Sequence, residues 1–356
     1  MSAPDLQRAL EIAHYARRHR GTTFVAAMSQ GVSVADLLLD LKLLAAYGLP
    51  GVVVAPPEAN ALAHQARQEG LPVAVETARL DVLRAGLAVG QVPMVLVDEP
   101  EEVAAELARG LQARRLMLIR AHHPALADEP ESQGHLTRAE AARRGQGVGP
   151  AAQQWRDVVA MLDTGIAGVV LLPGRTGCLF EELFTHDGGG VLVGDAAVEA
   201  LREATLADAA DIHLLLKAEM TTGVVRPVSE RQIAATAHEH LVYTIDGLVV
   251  GTARLAPWGD WAEMSRFATL PRYRGRGRAR VLGEALIARA AESGCTDLFA
   301  LSIDHRMWRF FESLGLEAID RHALPAAWQA GYDFSRPSRA FHRCLRSPAE
   351  PSGGRA

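Results

Sequence analysis

Short, uninterrupted apolar runs alternate with helical segments through the first half of this chain, and that alternation constrains the fold more than any other feature. Gly51-Val-Val-Val-Ala55, Pro93-Met-Val-Leu-Val97, Leu116 to Ile119 and Gly168-Val-Val-Leu-Leu172 have no polar residue at every second position. A strand with one wetted face alternates; a strand that does not is buried on both faces, the habit of parallel sheets covered by helices. Between these runs, residues 5–19, 34–47, 59–69, 101–113 and 151–163 have helical spacing, with Gly48 placed as the C-cap of the second. Thr23 to Met28 reads as a further strand, and the polar, Gly/Pro-broken stretch 121–150 as a loop or irregular excursion. The expected class is α/β, with a parallel sheet between helical layers.

The pattern changes after Gly188-Gly-Gly190 and one last short strand. A helix is expected at 207–220, led in by Arg202-Glu-Ala-Thr-Leu-Ala-Asp208 with Thr205 as its N-cap, and a second at 229–239. Strands follow at 241–245, 248–255 and 264–270, the first two joined by a hairpin at Gly247. A glycine–arginine loop at 274–279 leads into a helix at 280–293, then a strand at 298–303, a helix at 307–314 and a strand at 340–345. The reading is two domains, 1–200 and 201–347, and a disordered Pro/Ser/Gly tail at 348–356.

Composition excludes several classes. A net charge of −5 argues against a nucleic-acid coat. The chain has no apolar run long enough for a membrane span and no apolar signal core at its start, so a cytoplasmic protein is expected. Cys178, Cys295 and Cys344 are scattered and odd in number, which implies neither a disulfide framework nor a metal site. Apart from Lys42 and Lys217 every basic residue is arginine, so chemistry needing several lysines in one site is ruled out.

The segment that carries chemistry is Phe267-Ala-Thr-Leu-Pro-Arg-Tyr-Arg-Gly-Arg-Gly-Arg-Ala-Arg280. It runs strand, Gly-rich loop, helix N-terminus, presenting successive backbone N–H groups and the positive end of a helix dipole, which suits a pyrophosphate. Arg272, Arg274, Arg276 and Arg278 add charge around it. A solvated basic loop is the alternative. The spacing is not that of a nucleotide-triphosphate P-loop, and Gly-x-Gly-x-x-Gly is absent.

Arg274-x-x-Gly277-x-Ala279, after a strand and Pro-x-Tyr, resembles the acetyl-CoA loop of the GNAT acetyltransferases, and Phe310-Phe-Glu-Ser-Leu-Gly315 resembles their second signature. Tyr332-Asp-Phe-Ser-Arg336-Pro-Ser338-Arg339 is similar to the ending of bacterial N-acetylglutamate synthases, and Ala262-Glu-Met264 to their Gly-Glu-Met. Residues 13–25 and 172–190 resemble the entry segment and the end of those enzymes' amino-acid-kinase-like domain. The resemblance implies a degenerate amino-acid-kinase-like domain fused to a GNAT domain. It further implies transfer of acetyl from acetyl-CoA to L-glutamate, the first step of arginine biosynthesis, with no metal. Kinase activity is not expected, because the phosphate-handling positions read Ala26-Ala-Met-Ser-Gln30 and Gly147-Val-Gly149-Pro-Ala-Ala-Gln153, and Lys42 lies inside a helix. The first domain is then a regulatory and oligomerisation unit, with L-arginine as candidate effector at Glu182 and Gly188 and a homo-oligomer as the expected assembly.

Residue roles follow. Phe267, Ala268, Thr269, Arg274, Gly275, Arg276, Gly277, Arg278 and Ala279 are the expected acetyl-CoA contacts. Arg226, Arg266, Arg336 and Ser338 are candidate glutamate ligands, since a guanidinium clamps a carboxylate with two charge-assisted bonds; Arg266 could instead pair with Glu263. Glu263 is the candidate base, provided burial raises its pKa; a structural ion pair is the alternative. The tyrosine with which many GNAT enzymes protonate the leaving thiolate is here Phe311, with Ser302 and Tyr332 as weak substitutes. Three rival readings remain. Glu263-Met-Ser-Arg266-Phe267 also resembles acyl-homoserine-lactone and N-acyl-amino-acid synthases. The other two are a protein-lysine acetyltransferase and a non-enzymatic sensor of arginine or acetyl-CoA.

Overall fold

The computed structural model describes residues 12–345 apart from 14, 17, 18, 20, 30, 127–133, 186–187, 195–198 and 246. Most of the helix expected at 5–19, and the tail, lie outside these residues; Ile12, Ala13, Tyr15 and Ala16 are helical. The chain divides into two compact units, Met1–Ala197 and Val198–Ala356.

In the first unit the elements are β1 (Phe24–Met28), α1 (Val34–Tyr47), β2 (Gly51–Ala55), α2 (Asn60–Gln68), β3 (Val73–Val75), α3 (Leu80–Ala88), β4 (Val92–Leu96), α4 (Pro100–Gly110) and β5 (Arg115–Arg120). They continue with β6 (His135–Thr137), α5 (Arg138–Arg144), α6 (Pro150–Asp163), β7 (Val169–Pro173), α7 (Cys178–Phe184) and β8 (Val191–Gly194). Among the described residues the sheet order is β3-β4-β2-β1-β5-β7-β8-β6, parallel throughout except between β7 and β8. Every residue of β1 is buried, with Phe24, Ala26 and Met28 in one apolar cluster and Val25 and Ala27 in another. Successive side chains point to opposite faces of a strand, so this split is what a sheet covered on both sides requires. Leu37, Leu41 and Leu62 fill the first layer; Leu83, Leu107, Trp155 and Val158 fill the second. Gly48 ends α1 in the left-handed region (φ 61°), where its N–H meets the Ala45 carbonyl.

Within the stretch 121–150, read as a loop or irregular excursion, the described residues 134–150 are more regular than that. Thr137 and Glu140 form a capping box at the start of α5, and β6 adds to the sheet edge beside β8. A three-residue strand and an Arg/Ala-rich helix carry too little apolar periodicity to be seen in sequence. The same holds for β3 and α3.

The second unit comprises β9 (Glu199–Glu203), α8 (Ala209–Thr221), α9 (Glu230–Ala235), β10 (His240–Ile245), β11 (Leu248–Trp258), β12 (Trp261–Thr269), α10 (Arg278–Glu292), β13 (Asp297–Ser302), α11 (His305–Ser313), β14 (Glu317–Ile319), α12 (Ala326–Gln329) and β15 (Arg339–Cys344). Its sheet order is β14-β15-β13-β12-β11-β10-β9, antiparallel except for the parallel pair β12–β13. The helix expected at 207–220 is present, with Thr205 as its N-cap; what the sequence reading lacks is a strand just before it. Glu199–Glu203 pairs with β10 as an edge strand, and the helical turn waits for Thr205, which forms a capping box with Asp208. The strand is charged and mostly exposed, which is how an edge strand avoids further pairing and why it reads as solvated chain.

Two irregularities open this sheet. The β12–β13 pairing is confined to Trp261–Met264 against Asp297–Ala300, although β12 continues to Thr269 and β13 to Ser302. Between Thr252 and Arg254 of β11 the register with β12 shifts from Ala268 to Ser265, so β12 carries one extra residue there, with Arg266 at φ 56°. Past Met264 the two parallel strands diverge, and the edge of β12 faces the gap between them.

Candidate active site

The gap is a cavity of about 600 Å3. Its walls come from the end of β12 (Phe267, Ala268, Thr269), the turn into α10 (Arg274), the start of α10 (Ala279), the end of β13 (Leu301, Ser302) and α11 (Met307, Phe310, Phe311). Gly275 and Gly277 take left-handed backbone conformations (φ 77° and 74°), which lets the chain turn tightly into α10, with Gly277 as its N-cap. The first-turn N–H groups of a 15-residue helix thus open beside the cavity, an arrangement suited to an anion. Arg274 steadies the turn through Nε on the Thr269 carbonyl (2.9 Å), and Arg276 lies half-buried within it.

Arg278 is placed differently from the expected acetyl-CoA contact. Its side chain is 4% exposed and turns inward, bonding Glu199 (2.7 Å) and the Tyr273 carbonyl (3.0 Å) between the rings of Tyr243 and Tyr273. Only its backbone remains for a phosphate. Arg278→Met is therefore expected to destabilise the second unit by about 2 kcal/mol, the loss of charge-assisted hydrogen bonds, while Arg274→Ala weakens acetyl-CoA binding. Chemical denaturation and a ligand titration on both variants check this.

The candidate acceptor residues converge on the same cavity: Arg226, Glu263, Arg266, Arg336 and Ser338 all line it, together with Tyr332. Two cross-ties hold the first and last of the arginines. Arg336 Nη2 donates to the Gly223 carbonyl (2.8 Å), and Arg226 Nη1 donates to the Gly331 carbonyl (3.3 Å) with its guanidinium over the Tyr332 ring. The Tyr332 hydroxyl and Ser338 Oγ are hydrogen-bonded to each other. Arg266 does not pair with Glu263; its Nη1 meets His240 Nε2 at 3.3 Å. Burial, with Arg266 and Arg254 beside it, pushes His240 down to about 3, so a neutral imidazole accepts this bond. Burial, with Arg254, brings Arg266 down to about 10. Glu263 is raised above the ordinary carboxylate range by burial, opposed chiefly by Arg254.

Arg254 escaped the sequence reading. It lies directly across from Ser265 on β12 and from His240 on β10, and it lines the cavity. The available signal was a lone charge inside the otherwise apolar run of β11. Phe311 is fully buried, so no phenol stands at that position; Ser302 lines the cavity and accepts from the Asp304 N–H. Among the described residues no group of metal-ligating side chains is assembled, and no helix is long and apolar enough to cross a membrane.

In the first unit, the carboxylate of Glu182 is buried and engaged by Arg115 (2.7 Å) and by the Gly189 N–H (3.1 Å); the Gly188 N–H rests on Thr185 Oγ1. Both Glu182 oxygens thus serve the fold. Lys42 sits on the surface of α1, paired with Glu69.

A parallel strand pair splayed beside a glycine–arginine turn, within a mostly antiparallel sheet, makes the second unit an acetyltransferase-type fold, and residues 210–316 match the acetyltransferase (GNAT) family. The whole chain has the two-domain architecture of an N-acetylglutamate synthase: that of Neisseria gonorrhoeae, solved with coenzyme A and L-arginine, superposes with a TM-score of 0.60 at 21% identity, covering 96% of this chain and 99% of that one. Relatives termed amino-acid acetyltransferase are 32% identical over 265 residues in Azotobacter vinelandii and 31% over 260 in Ectopseudomonas mendocina. These matches cover 69% of this chain and 57% of each relative, so the chain spans little more than half the length of the curated relatives it matches.

Proposed function

We propose that this chain transfers the acetyl group of acetyl-CoA to the α-amine of L-glutamate. The observation that carries the reading is the placement of the half-buried Glu263 carboxylate with Arg226, Arg266 and Arg336 on the walls of the cavity that the glycine–arginine turn also lines. An amino acid with two carboxylates needs cations for both and an acceptor for its ammonium proton; this cavity holds both kinds of group. Glu263 takes the proton, the freed amine attacks the thioester carbonyl, and backbone N–H groups on the open edge of β12 meet the developing oxyanion. The C–S bond then breaks, the nitrogen sheds its second proton to solvent, and the leaving thiolate takes a proton from solvent in return.

Phe267, Ala268, Thr269, Arg274, Ala279 and the backbone of 275–278 are assigned to acetyl-CoA, and Arg226, Arg266, Arg336 and Ser338 to glutamate. The first unit is assigned to assembly and regulation in a cytoplasmic homo-oligomer, with L-arginine as its effector. At the ends of β1 and β5, where doubly wound sheets hold ligands, Glu101 is taken up by Arg120 and Ser29, which supports the loss of any kinase role.

The test is free-thiol release from acetyl-CoA with each of the twenty amino acids, with and without arginine. Release confined to glutamate upholds the reading. Release with another amine, or with peptide lysine, replaces the acceptor, and binding without release leaves a sensor. Arg336→Ala is expected to raise the KM for glutamate about thirtyfold, the equivalent of one charge-assisted pair, with the KM for acetyl-CoA unchanged in the same assay.

A further inference from the structure

Three strands bring a row of polar side chains to one face of the second sheet. His240 of β10 lies opposite Arg254 of β11, and Arg254 lies opposite Ser265 of β12. Glu263 stands two residues before Ser265, on the same face, with Ala256 directly across from it. Arg254 is therefore the diagonal neighbour of Glu263, a spacing that a long side chain bridges. Its guanidinium is fixed from behind: Nε and Nη2 both bond Glu239 Oε2, at 2.7 and 2.5 Å, and both side chains are largely buried. Glu239 comes from the turn Ala237–Glu239 that leads into β10.

We propose that Arg254, anchored by Glu239, is a positioning residue that holds the Glu263 carboxylate ionised within the cavity. The inference deepens the base role assigned to Glu263 and rests on that reading. The other groups facing Glu263 are the Trp258 indole from β11, Arg266 from its own strand and Arg226 from the segment after α8. Arg336 lines the same cavity from the C-terminal segment, and β13 contributes the nonionisable Phe299 opposite. Arg226 and Arg336 are tied to the backbone carbonyls of Gly331 and Gly223 and Arg266 faces His240, whereas Arg254 is tied to an acid. Burial acts against the ionised form of Glu263, and Arg254 is its largest counterweight.

The experiment follows the Glu263 carboxyl by 13C NMR in the intact, glutamate-labelled chain without substrate, with Glu263→Gln identifying the signal. Arg254→Met is expected to move the titration midpoint up by about one pH unit. Arg254→Lys restores it, and Glu239→Gln moves it down, because the arginine's charge is then no longer offset. Opposite shifts from the two halves of one ion pair are not produced by a merely structural role. A midpoint that stays put in both Arg254→Met and Glu239→Gln overturns the inference, whatever the acceptor amine. Should Arg254→Met fail to fold, the Glu239→Gln and Arg254→Lys titrations decide alone. Failure of the proposed function is seen separately, as absence of thiol release with glutamate.

Discussion

Glu263→Gln is expected to lower kcat for acetyl transfer about a hundredfold, the lower bound for loss of a positioned general base, and to leave acetyl-CoA binding unchanged. The substitution keeps the side chain's size and its place on β12 but removes the proton acceptor. Burial raises the Glu263 carboxyl above its ordinary range, and the reaction uses the ionised form. Wild-type activity should therefore fall as pH drops through that raised value, because protonated Glu263 cannot take the substrate's proton. The residual rate of the glutamine variant should lack this acid limb. Steady-state thiol release against pH measures both; a variant with wild-type kcat removes Glu263 from the mechanism.

Gly190→Ala should have the largest effect on the first unit. A Cβ at Gly190 would stand 2.0 Å from the Leu171 carbonyl oxygen, 3.0 Å from its carbonyl carbon and 2.9 Å from Leu172 Cδ2. The first two are backbone atoms of β7, which is held on its other side by the full register with β5. Neither strand can yield without breaking ladder bonds, so the cost lies near the upper end for overpacking, about 3 kcal/mol. Amide hydrogen exchange from β7 and β8 should accelerate about a hundredfold, with exchange in residues 199–345 unchanged. Gly51→Ala is the control in the same sheet, since its Cβ would make only an ordinary 3.9 Å contact with Leu44. Equal exchange in the two variants would mean that β8 shifts to accommodate the methyl.

Legibility in the sequence followed the reach of the forces involved. The bounds of α1 and its Gly48 cap were readable because a leucine stripe and a left-handed glycine are local signals. The cavity residues Glu263, Arg226, Arg336 and Ser338 were found through short motifs, and the fold brings them together from segments about a hundred residues apart. Strand β9 was missed because five mostly exposed residues leave no hydrophobic pattern. The inward turn of the Arg278 side chain was not readable because a loop of alternating arginines gives no sign of which one meets Glu199, 79 residues away.

The sequence by itself determined the two α/β units, the doubly buried strands of the first, and the turn-to-helix geometry of the second. Each of these depends on periodicity, capping or backbone freedom within a few residues. Only the tertiary structure decided that β12 parts from β13 after Met264 and that Arg254 stands behind Glu263 with Glu239 as its anchor. It also decided that Glu182 spends its carboxylate on Arg115 and Gly189. Those outcomes depend on strand register and on the charge and burial that register creates, and the partners that set them are distant in the chain.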